Sequence, residues 1–283
     1  DPLCMMHEVH AILLTGGSAF GLDAAAGVMR VLEADGIGYD TGVARVPIVP
    51  AAALFDLSLG RADVRPDAAA GERATRAATA SGPLARGSVG AGTGATVAKL
   101  AGPQCCVKGG IGSASATLPD GHVIGALVAV NAIGDIYDAE AGKLLAGARA
   151  PGGAGWLDPP ASRPADSPNP NPALFPGANT TIAVVATDAP WSKADLAKIA
   201  QMAHDGLALA IRPVHTPFDG DTVFALSTAS DPDGARPGAA LPFAVSLAGA
   251  AAARVLARAV ADAIRSATTL HGVPALRDLP FAQ

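Results

Sequence analysis

The sequence predicts a layered α+β domain whose sheet is at least partly antiparallel. An alternating segment runs from Lys108 to Thr117, a turn follows at Pro119–Gly121, and a second strand runs from Val123 to Asn131. Two strands joined in this way are typical of a β-hairpin. Apolar residues at helical spacing occur on both sides of the hairpin, so helices and hairpin strands share one domain. A doubly wound parallel sheet is disfavoured, because its strands are joined through helices.

The N-terminal half begins with an apolar run, Val9–Leu14, which predicts a buried strand that ends at a Gly-Gly turn. Ser18 is predicted to cap the next helix, in which apolar residues recur from Leu22 to Leu32. Two short strands, a helix and a glycine-rich loop are then predicted at 47–49, 54–57, 68–80 and 87–94.

The C-terminal half follows a segment at 150–176 that is rich in Pro, Gly, Ala, Ser and Asn, and this composition predicts a flexible linker. Ser192 and Asp195 form a relative of the capping box, which predicts a helix from Ser192 to 204 or 210. A polar connection is predicted at 138–148. The remaining predicted elements are strands at 182–186 and 221–227 and an alanine-rich helix at 245–264.

Composition limits the class of partner. The chain has 283 residues, and 25 acidic side chains outnumber 20 basic ones without any run of Lys or Arg, which disfavours nucleic acid and anionic membranes. No stretch approaches the roughly 20 apolar residues of a membrane span, and no secretory signal opens the chain. Three cysteines without a framework spacing favour a reducing, cytoplasmic compartment. A small molecule or short peptide is the expected substrate.

The junction at Asn179-Thr180 has the features of a self-cleavage site. The proline-rich segment stops there, and the apolar run Ile182–Ala186 begins two residues later. A threonine hydroxyl can attack the preceding carbonyl and become, after hydrolysis, an N-terminal nucleophile whose own α-amine serves as base. The alternative is an ordinary polar loop before a strand. Cleavage one residue later, at Thr181, would change the face on which the nucleophile lies.

Cofactor and metal motifs are not supported. Gly90–Ala95 matches a dinucleotide fingerprint, but Gly102 and Pro103 stop any helix behind it and the next acidic residue is Asp120. His7 and His10 are one residue too close for a zinc-binding HExxH motif. We therefore expect no cofactor and no metal.

Polar residues next to predicted strands are further candidates for the site. Asp219 and Asp221 flank a glycine, so in an extended chain both carboxylates would point the same way; an Asp-Gly turn is the alternative. Asn131 ends an apolar strand, where a buried amide needs a partner or can stabilise an oxyanion.

Five motifs, in this order, resemble the P1 family of self-processing aminopeptidases, which includes β-aminopeptidases and a pantetheine hydrolase. The similarity extends from Val9 to about Ala263. The motifs are Gly16–Ala25, Pro47–Pro50, Lys108–Gly112, Asn179–Ile182 and Asp219–Phe224.

The resemblance implies a four-layer αββα sandwich, similar to N-terminal-nucleophile hydrolases but with different connectivity. It implies a precursor, 1–283, that is cut into an α subunit, 1–179, and a β subunit, 180–283, which then form a homo-oligomer such as a tetramer of heterodimers. It also implies that Thr180 is the nucleophile, Asn131 the oxyanion donor, and Asp219 and Asp221 a pair beside the nucleophile.

The same resemblance implies that the substrate site includes Lys108, Gly109, Gly110 and Leu54. The β-aminopeptidases hold the substrate amine with a Glu and Tyr segment, whereas this chain has Pro50–Phe55, a more apolar wall. Hydrolysis of small amides, N-terminal peptide bonds or esters is the predicted activity. Two alternatives stay open: acyl transfer of the ornithine acetyltransferase type, and an uncleaved binding or scaffold protein.

Overall fold

The computed structural model describes residues 3–78, 82–150, 152, 155–158, 178–229 and 241–282. The strands in the first half of these residues are β1 (Leu13–Thr15), β2 (Tyr39–Asp40), β3 (Arg45–Val46), β4 (Ala51–Ala53), β5 (Thr96–Val97), β6 (Val107–Lys108) and β7 (Gly110–Thr117). Those that follow are β8 (Val123–Asn131), β9 (Asp135–Asp138), β10 (Lys143–Ala146), β11 (Thr180–Thr187), β12 (Ile211–Arg212) and β13 (Thr222–Ser227). The α-helices are α1 (Ala24–Ala34), α2 (Ala68–Ala78), α3 (Lys193–Ala210) and α4 (Leu241–Ser266).

The main sheet has the order β13-β11-β8-β7. β7 and β8 form the predicted antiparallel hairpin, and β11 is antiparallel to β8 but parallel to β13. The parallel pair is joined through α3, while the antiparallel pairs account for the rest of the sheet. The sheet is therefore mixed, as the α+β prediction requires.

One face of the main sheet is covered by α3 and α4. Ala183 and Val185 of β11 point to this face and belong to the same apolar core as Val260 of α4. Gly112 of β7 allows the close approach of α4, because a Cβ at this position would lie 2.0 Å from the carbonyl oxygen of Ala259.

The opposite face packs against a second, smaller sheet made of β1 and β4, which are parallel. Ile182, Ala129 and Ile111 of the main sheet share a buried cluster with Leu54 just after β4, and Leu14 and Ala52 pack against it. Outside this sheet, α1 and α2 pack on each other at two glycines: a Cβ at Gly27 or Gly71 would meet a carbonyl oxygen of the other helix within 2 Å. The layers are thus helices, sheet, sheet and helices, the αββα order.

α4 corrects the expectation that no stretch of the chain approaches the length and apolar composition of a membrane span. Its segment Pro242–Ser266 is long and apolar enough to cross a membrane by length and composition, with a mean hydropathy of 1.5 over its most apolar window. Of that window, 61% is buried within the protein, and a core helix of a globular domain meets the same criteria. Packing of alanine and valine against the main sheet accounts for this composition.

Several predicted elements differ in extent. The predicted strand at 9–14 is only Leu13–Thr15, and the strands predicted at 47–49 and 54–57 are replaced by Ala51–Ala53 between them. Parallel pairing with β1 selects these alanines despite their low strand propensity. Ser18 does not cap a helix, because a 3-10 helix at Ser18–Asp23 precedes α1. The connection at 138–148 contains β10, whereas most of the linker predicted at 150–176 lies outside the described residues.

Candidate active site

Thr180 and Asn131 lie opposite each other where two strands of the main sheet end. Thr180 is the first residue of β11 and pairs with Asn131, the last residue of β8. Both are buried, with exposed fractions of 5% and 1%. Alternation along β11 places Thr180 on the same face as Ile182, between the two sheets. The fold therefore brings these two predicted site residues together, and their catalytic roles stay predictions.

The peptide before Thr180 is held in a specific geometry. The Oγ1 of Thr180 donates a hydrogen bond to the carbonyl oxygen of Asn179 at 2.5 Å. Because a carbonyl bond is about 1.23 Å long, the hydroxyl oxygen lies within about 3.7 Å of the carbonyl carbon. The backbone N–H of Gly220 donates to the same carbonyl oxygen at 2.9 Å. The carbonyl that precedes Thr180 is thus polarised by a backbone donor next to a hydroxyl.

The side chain of Asn179 is fully buried. Within the described part of the chain, neither its amide oxygen nor its amide nitrogen has a hydrogen-bond partner, and the same holds for the Oγ1 of Thr181. An unpaired buried polar group costs on the order of 1–3 kcal/mol. The residue before the proposed cut is therefore destabilising in the continuous chain.

The amide of Asn131 connects three segments. Its Oδ1 accepts hydrogen bonds from the N–H of Thr96 at 3.0 Å and from the Nζ of Lys99 at 2.8 Å, and its Nδ2 donates to the carbonyl oxygen of Phe55 at 2.8 Å. Two donors on one atom and a carbonyl on the other fix the orientation of the amide. One of the two N–H groups on Nδ2 is engaged by Phe55, and the second is the donor that an oxyanion role requires.

Lys99 is a site residue that the sequence analysis missed. Its Nζ also donates to the backbone oxygen of Asn131 at 3.1 Å. Burial lowers the pKa of Lys99 from its usual value near 10.5 to about 7, partly opposed by the acidic groups of Cys106 and Asp219. The signal in the sequence was one charged residue in an otherwise apolar stretch, Val97 to Ala101.

Lys108 is buried completely, and its Nζ donates to the carbonyl oxygens of Gly92, Thr93 and Ala95 at 3.2, 2.9 and 2.6 Å. Burial lowers its pKa to about 8. The three hydrogen bonds fasten the glycine-rich loop to β6. Since an ammonium has three N–H donors, a substrate contact by Lys108 would have to replace one of them.

The other residues predicted to bind substrate also lie in the interior. Leu54 is fully buried in the cluster between the sheets. A Cβ at Gly109 would lie 2.1 Å from the carbonyl oxygen of Val130, so the glycine allows β6 and β8 to approach. Gly110 begins β7, where a Cβ would lie 2.9 Å from the carbonyl oxygen of Ala263. Contact of these residues with substrate stays a prediction.

Asp219 and Asp221 hold the loop before β13 in different ways. Asp219 accepts hydrogen bonds from the N–H and the Oγ1 of Thr216 at 3.0 and 2.6 Å. Asp221 accepts from the N–H of Thr181 at 2.7 Å and contacts the Nδ1 of His215 at 2.8 Å. Burial raises the pKa of Asp219, and the charge of Asp221 raises it further. Asp221 therefore connects the start of β11 to the loop, and Asp219 interacts electrostatically with Lys99.

Two histidines extend this network to the surface. The rings of His204 on α3 and His215 lie 4.9 Å apart. Burial lowers the pKa of His204, and the charge of His215 lowers it further. The sequence spacing gives no sign that the two histidines lie near Asp221. Only the fold brings α3 next to this loop.

Asp56 explains the glycines of the first motif. Its Oδ1 accepts the N–H of Gly17 at 2.7 Å, and a Cβ at Gly16 or Gly94 would lie within 2.5 Å of its Oδ2. Burial raises the pKa of Asp56. Because Asp56 follows Phe55, whose carbonyl binds Asn131, this packing positions one wall of the site.

A cavity of about 390 Å³ opens on the same face of the main sheet, further along β11. Val184, Leu127 and Ser113 are among its lining residues, and Thr180 is not. Ile182 and Leu54 lie in the cluster between the sheets at the level of the site. Among the described residues, no group of three or more His, Cys, Asp or Glu side chains could hold a metal ion.

Comparison with known proteins identifies the family. The model of peptidase family S58 matches residues 1–276. An uncharacterized aminopeptidase of Mycobacterium tuberculosis is 45% identical over 289 residues, which cover 99% of this chain and 80% of the relative. A 6-aminohexanoate-oligomer endohydrolase of Kocuria sp. is 32% identical over 219 residues, or 77% of this chain and 60% of the relative. The chain therefore belongs to peptidase family S58, as the motifs predicted.

A solved structure shares the fold of this chain. The L-aminopeptidase D-Ala-esterase/amidase of Ochrobactrum anthropi, described as a variant of the Ntn hydrolase fold, superposes with a TM-score of 0.58 and 24% identity. The match covers 88% of this chain and 64% of that one. The predicted fold, related to N-terminal-nucleophile hydrolases, is confirmed. Membership of a peptidase family and aminopeptidase relatives make the chain a hydrolase of peptide or amide bonds.

Proposed function

We propose that the chain cuts itself between Asn179 and Thr180 and that Thr180 then hydrolyses small amides, N-terminal peptide bonds or esters through an acyl-enzyme. The observation that carries this proposal is the contact of 2.5 Å between the Oγ1 of Thr180 and the carbonyl oxygen of Asn179. The hydroxyl is thus buried beside the polarised carbonyl that it would attack, and it has only to turn from the carbonyl oxygen to the carbonyl carbon.

Self-cleavage begins when the Oγ1 of Thr180 forms a bond to the carbonyl carbon of Asn179 and gives up its proton. Lys99 is the proposed acceptor, because a pKa of about 7 leaves much of its amine neutral at pH 7. A neutral amine keeps two N–H donors for the two oxygens of Asn131 and gains a lone pair. The C–N bond then breaks, the nitrogen of Thr180 takes the proton, and water hydrolyses the resulting ester.

Turnover uses the amine that this reaction frees. The α-amine of Thr180 is the proposed base, as its ordinary pKa of about 7.7–8.0 suits neutral pH. The second N–H of the Asn131 amide is the proposed oxyanion donor. Asp221 fixes the backbone at Thr181, and Asp219 places negative charge near Lys99.

Substrate class can be tested with four compounds. Aminopeptidase and oligomer-endohydrolase relatives favour amides with a free amine or an amide within an aliphatic chain. An amino-acid p-nitroanilide, its N-acetyl derivative, a pantetheine amide and a linear 6-aminohexanoate oligomer should be assayed side by side. Faster cleavage of the N-acetyl compound than of the free amine would defeat recognition of the amine.

Mass spectrometry under denaturing conditions tests the function directly. The purified wild type should give two chains, 1–179 and 180–283 of this sequence, whereas Thr180→Ala should give one chain and no hydrolysis of any of the four compounds. A wild type that stays whole after prolonged incubation argues for an uncleaved binding protein. If Thr180→Ala also divides at this bond, the proposed nucleophile is wrong.

We also propose that the two chains remain associated, in a cytoplasmic homo-oligomer.

A further inference from the structure

We infer that the backbone N–H of Gly220 is a catalytic donor for self-cleavage: it stabilises the oxyanion that forms on Asn179 when Thr180 attacks. This assignment rests on the proposed function. It adds a second oxyanion donor, distinct from Asn131, that belongs to the cleavage of the chain itself.

The position of the N–H supports this role. It donates to the carbonyl oxygen of Asn179 at 2.9 Å, within the range for a backbone hydrogen bond. During attack this oxygen gains negative charge, and a donor that already points at it needs little reorganisation. In the continuous chain, the only other described donor to this oxygen is the Oγ1 of Thr180, which must leave that hydrogen bond to attack.

The rest of Asp219–Asp221 holds the donor in place. An isolated parallel bridge joins Asn179 and Asp219, and the N–H of Asp219 donates to the carbonyl oxygen of Thr216 at 2.9 Å. On the other side of Gly220, Asp221 accepts the N–H of Thr181. The backbone of Asp219 and the carboxylate of Asp221 therefore anchor the short segment that carries the N–H, and the scissile peptide lies between these anchors.

The absence of a side chain at Gly220 supports the same role. A Cβ there would lie 3.0 Å from the Oγ1 of Thr180 and 3.7 Å from its Cγ2. Glycine thus brings a backbone donor to the carbonyl while leaving space for the attacking oxygen. Any larger residue except proline would supply the same donor but crowd the nucleophile.

Replacing the amide of residue 220 by an ester tests the donor alone. Glycolic acid at position 220, introduced by cell-free translation, removes the N–H and keeps the shape. Glycolic acid at Gly142 is the matched control, because it removes an N–H that donates to the carbonyl oxygen of Asp138 at 2.8 Å, in the turn between β9 and β10. Self-cleavage is followed by intact mass on the trypsin-resistant, folded fraction.

We expect the protein with the ester at 220 to cleave itself about 10²–10³-fold more slowly than the all-amide chain. This is the usual cost of losing one oxyanion donor. The ester at 142 should divide at the all-amide rate. Equal rates for the two esters overturn the assignment and leave the proposed function intact. An all-amide chain that does not divide overturns the proposed function, and this assignment with it.

Gly220→Ala tests whether self-cleavage needs the N–H of residue 220 or the space left by the missing side chain. This test does not require the ester variant to fold. It keeps the N–H, and the contact of 3.0 Å needs a shift of only a few tenths of an ångström, so we expect a loss of about tenfold or less. If the ester at 220 folds, a larger loss of self-cleavage rate in Gly220→Ala than in the ester would overturn the assignment. If the ester does not fold, a loss of more than about 10²-fold in Gly220→Ala would overturn it. Either result would show that the space beside the nucleophile is the requirement.

Discussion

Asn131, the last residue of β8, lies directly opposite Thr180, the first residue of the antiparallel strand β11. The Nζ of Lys99 donates hydrogen bonds to both the backbone oxygen and the side-chain oxygen of Asn131. The pair lies between the two sheets, where water is largely excluded. A nucleophile, an amide donor and a lysine of lowered pKa are thereby assembled from three separate segments of the chain.

The register of the cut can be tested at the two threonines. Edman sequencing of the smaller fragment should read Thr-Thr-Ile-Ala-Val, with Thr180 first. Thr181→Ala should still divide, because the side chain of Thr181 points to the opposite face of β11 and its Oγ1 makes no hydrogen bond among the described residues. A fragment that begins at Thr181 would move the nucleophile to that other face.

Asn131→Ala should be processed slowly and then turn over substrate with a kcat lower by about 10²–10³-fold, as expected when an oxyanion donor is lost. The measurement is kcat on the fully processed fraction, with KM determined in parallel. The matched control is Ala126→Gly, a change in the same strand away from the site. An unchanged kcat in the processed Asn131→Ala protein would reject the role of Asn131.

The pH dependence of self-cleavage reports on Lys99. The α-amine of Thr180 is still part of a peptide at this stage, so it does not titrate. Because burial lowers the pKa of Lys99 to about 7, the neutral base is lost below that pH and the rate should rise as pH increases through about 7. Stopped time courses from pH 5 to 9, analysed by intact mass, measure this profile.

Lys99→Met should divide at least about 10²-fold more slowly than the wild type and lose the rise near pH 7, since a general base typically contributes about 10²–10⁴-fold. Lys198→Met, at an exposed lysine of α3, is the control and should keep the wild-type profile. A Lys99→Met protein with an unchanged profile would assign the proton transfer to another group.

The unpaired amide of Asn179 predicts a gain in stability. In the uncleaved Thr180→Ala background, Asn179→Leu replaces two buried polar atoms that lack described partners with apolar groups of similar size. Relief of this cost should raise the free energy of unfolding by about 1 kcal/mol, or Tm by about 2–4 °C. Calorimetry of the two proteins decides; a lower Tm would mean that the amide has a partner.

The sequence predicted the helices and the hairpin, and it placed Asn131 and Thr180 among the candidates for the site. It did not predict the residues that hold these two in place. The capping box at Ser192 and Asp195 marked the start of α3 correctly, since its signal is local. Thr180 was proposed from its motif, and Asn131 was proposed from its place at the end of an apolar strand. Lys99, His215 and Asp56 were missed, because their roles arise from contacts between segments that lie far apart in sequence. The three alanines of β4 were missed because parallel pairing overrode a weak strand propensity.

Cleavage before β11 would change the thermodynamics of the whole molecule. Eight opposed residue pairs join β8 to β11, so the two chains would share one continuous sheet after the bond is cut. Unfolding would then separate two polypeptides, and its midpoint should depend on protein concentration. Refolding would become a bimolecular reaction between fragments that once formed a single chain. The active enzyme would consequently be easier to lose by denaturation than to recover, and only a newly synthesised precursor would restore it efficiently.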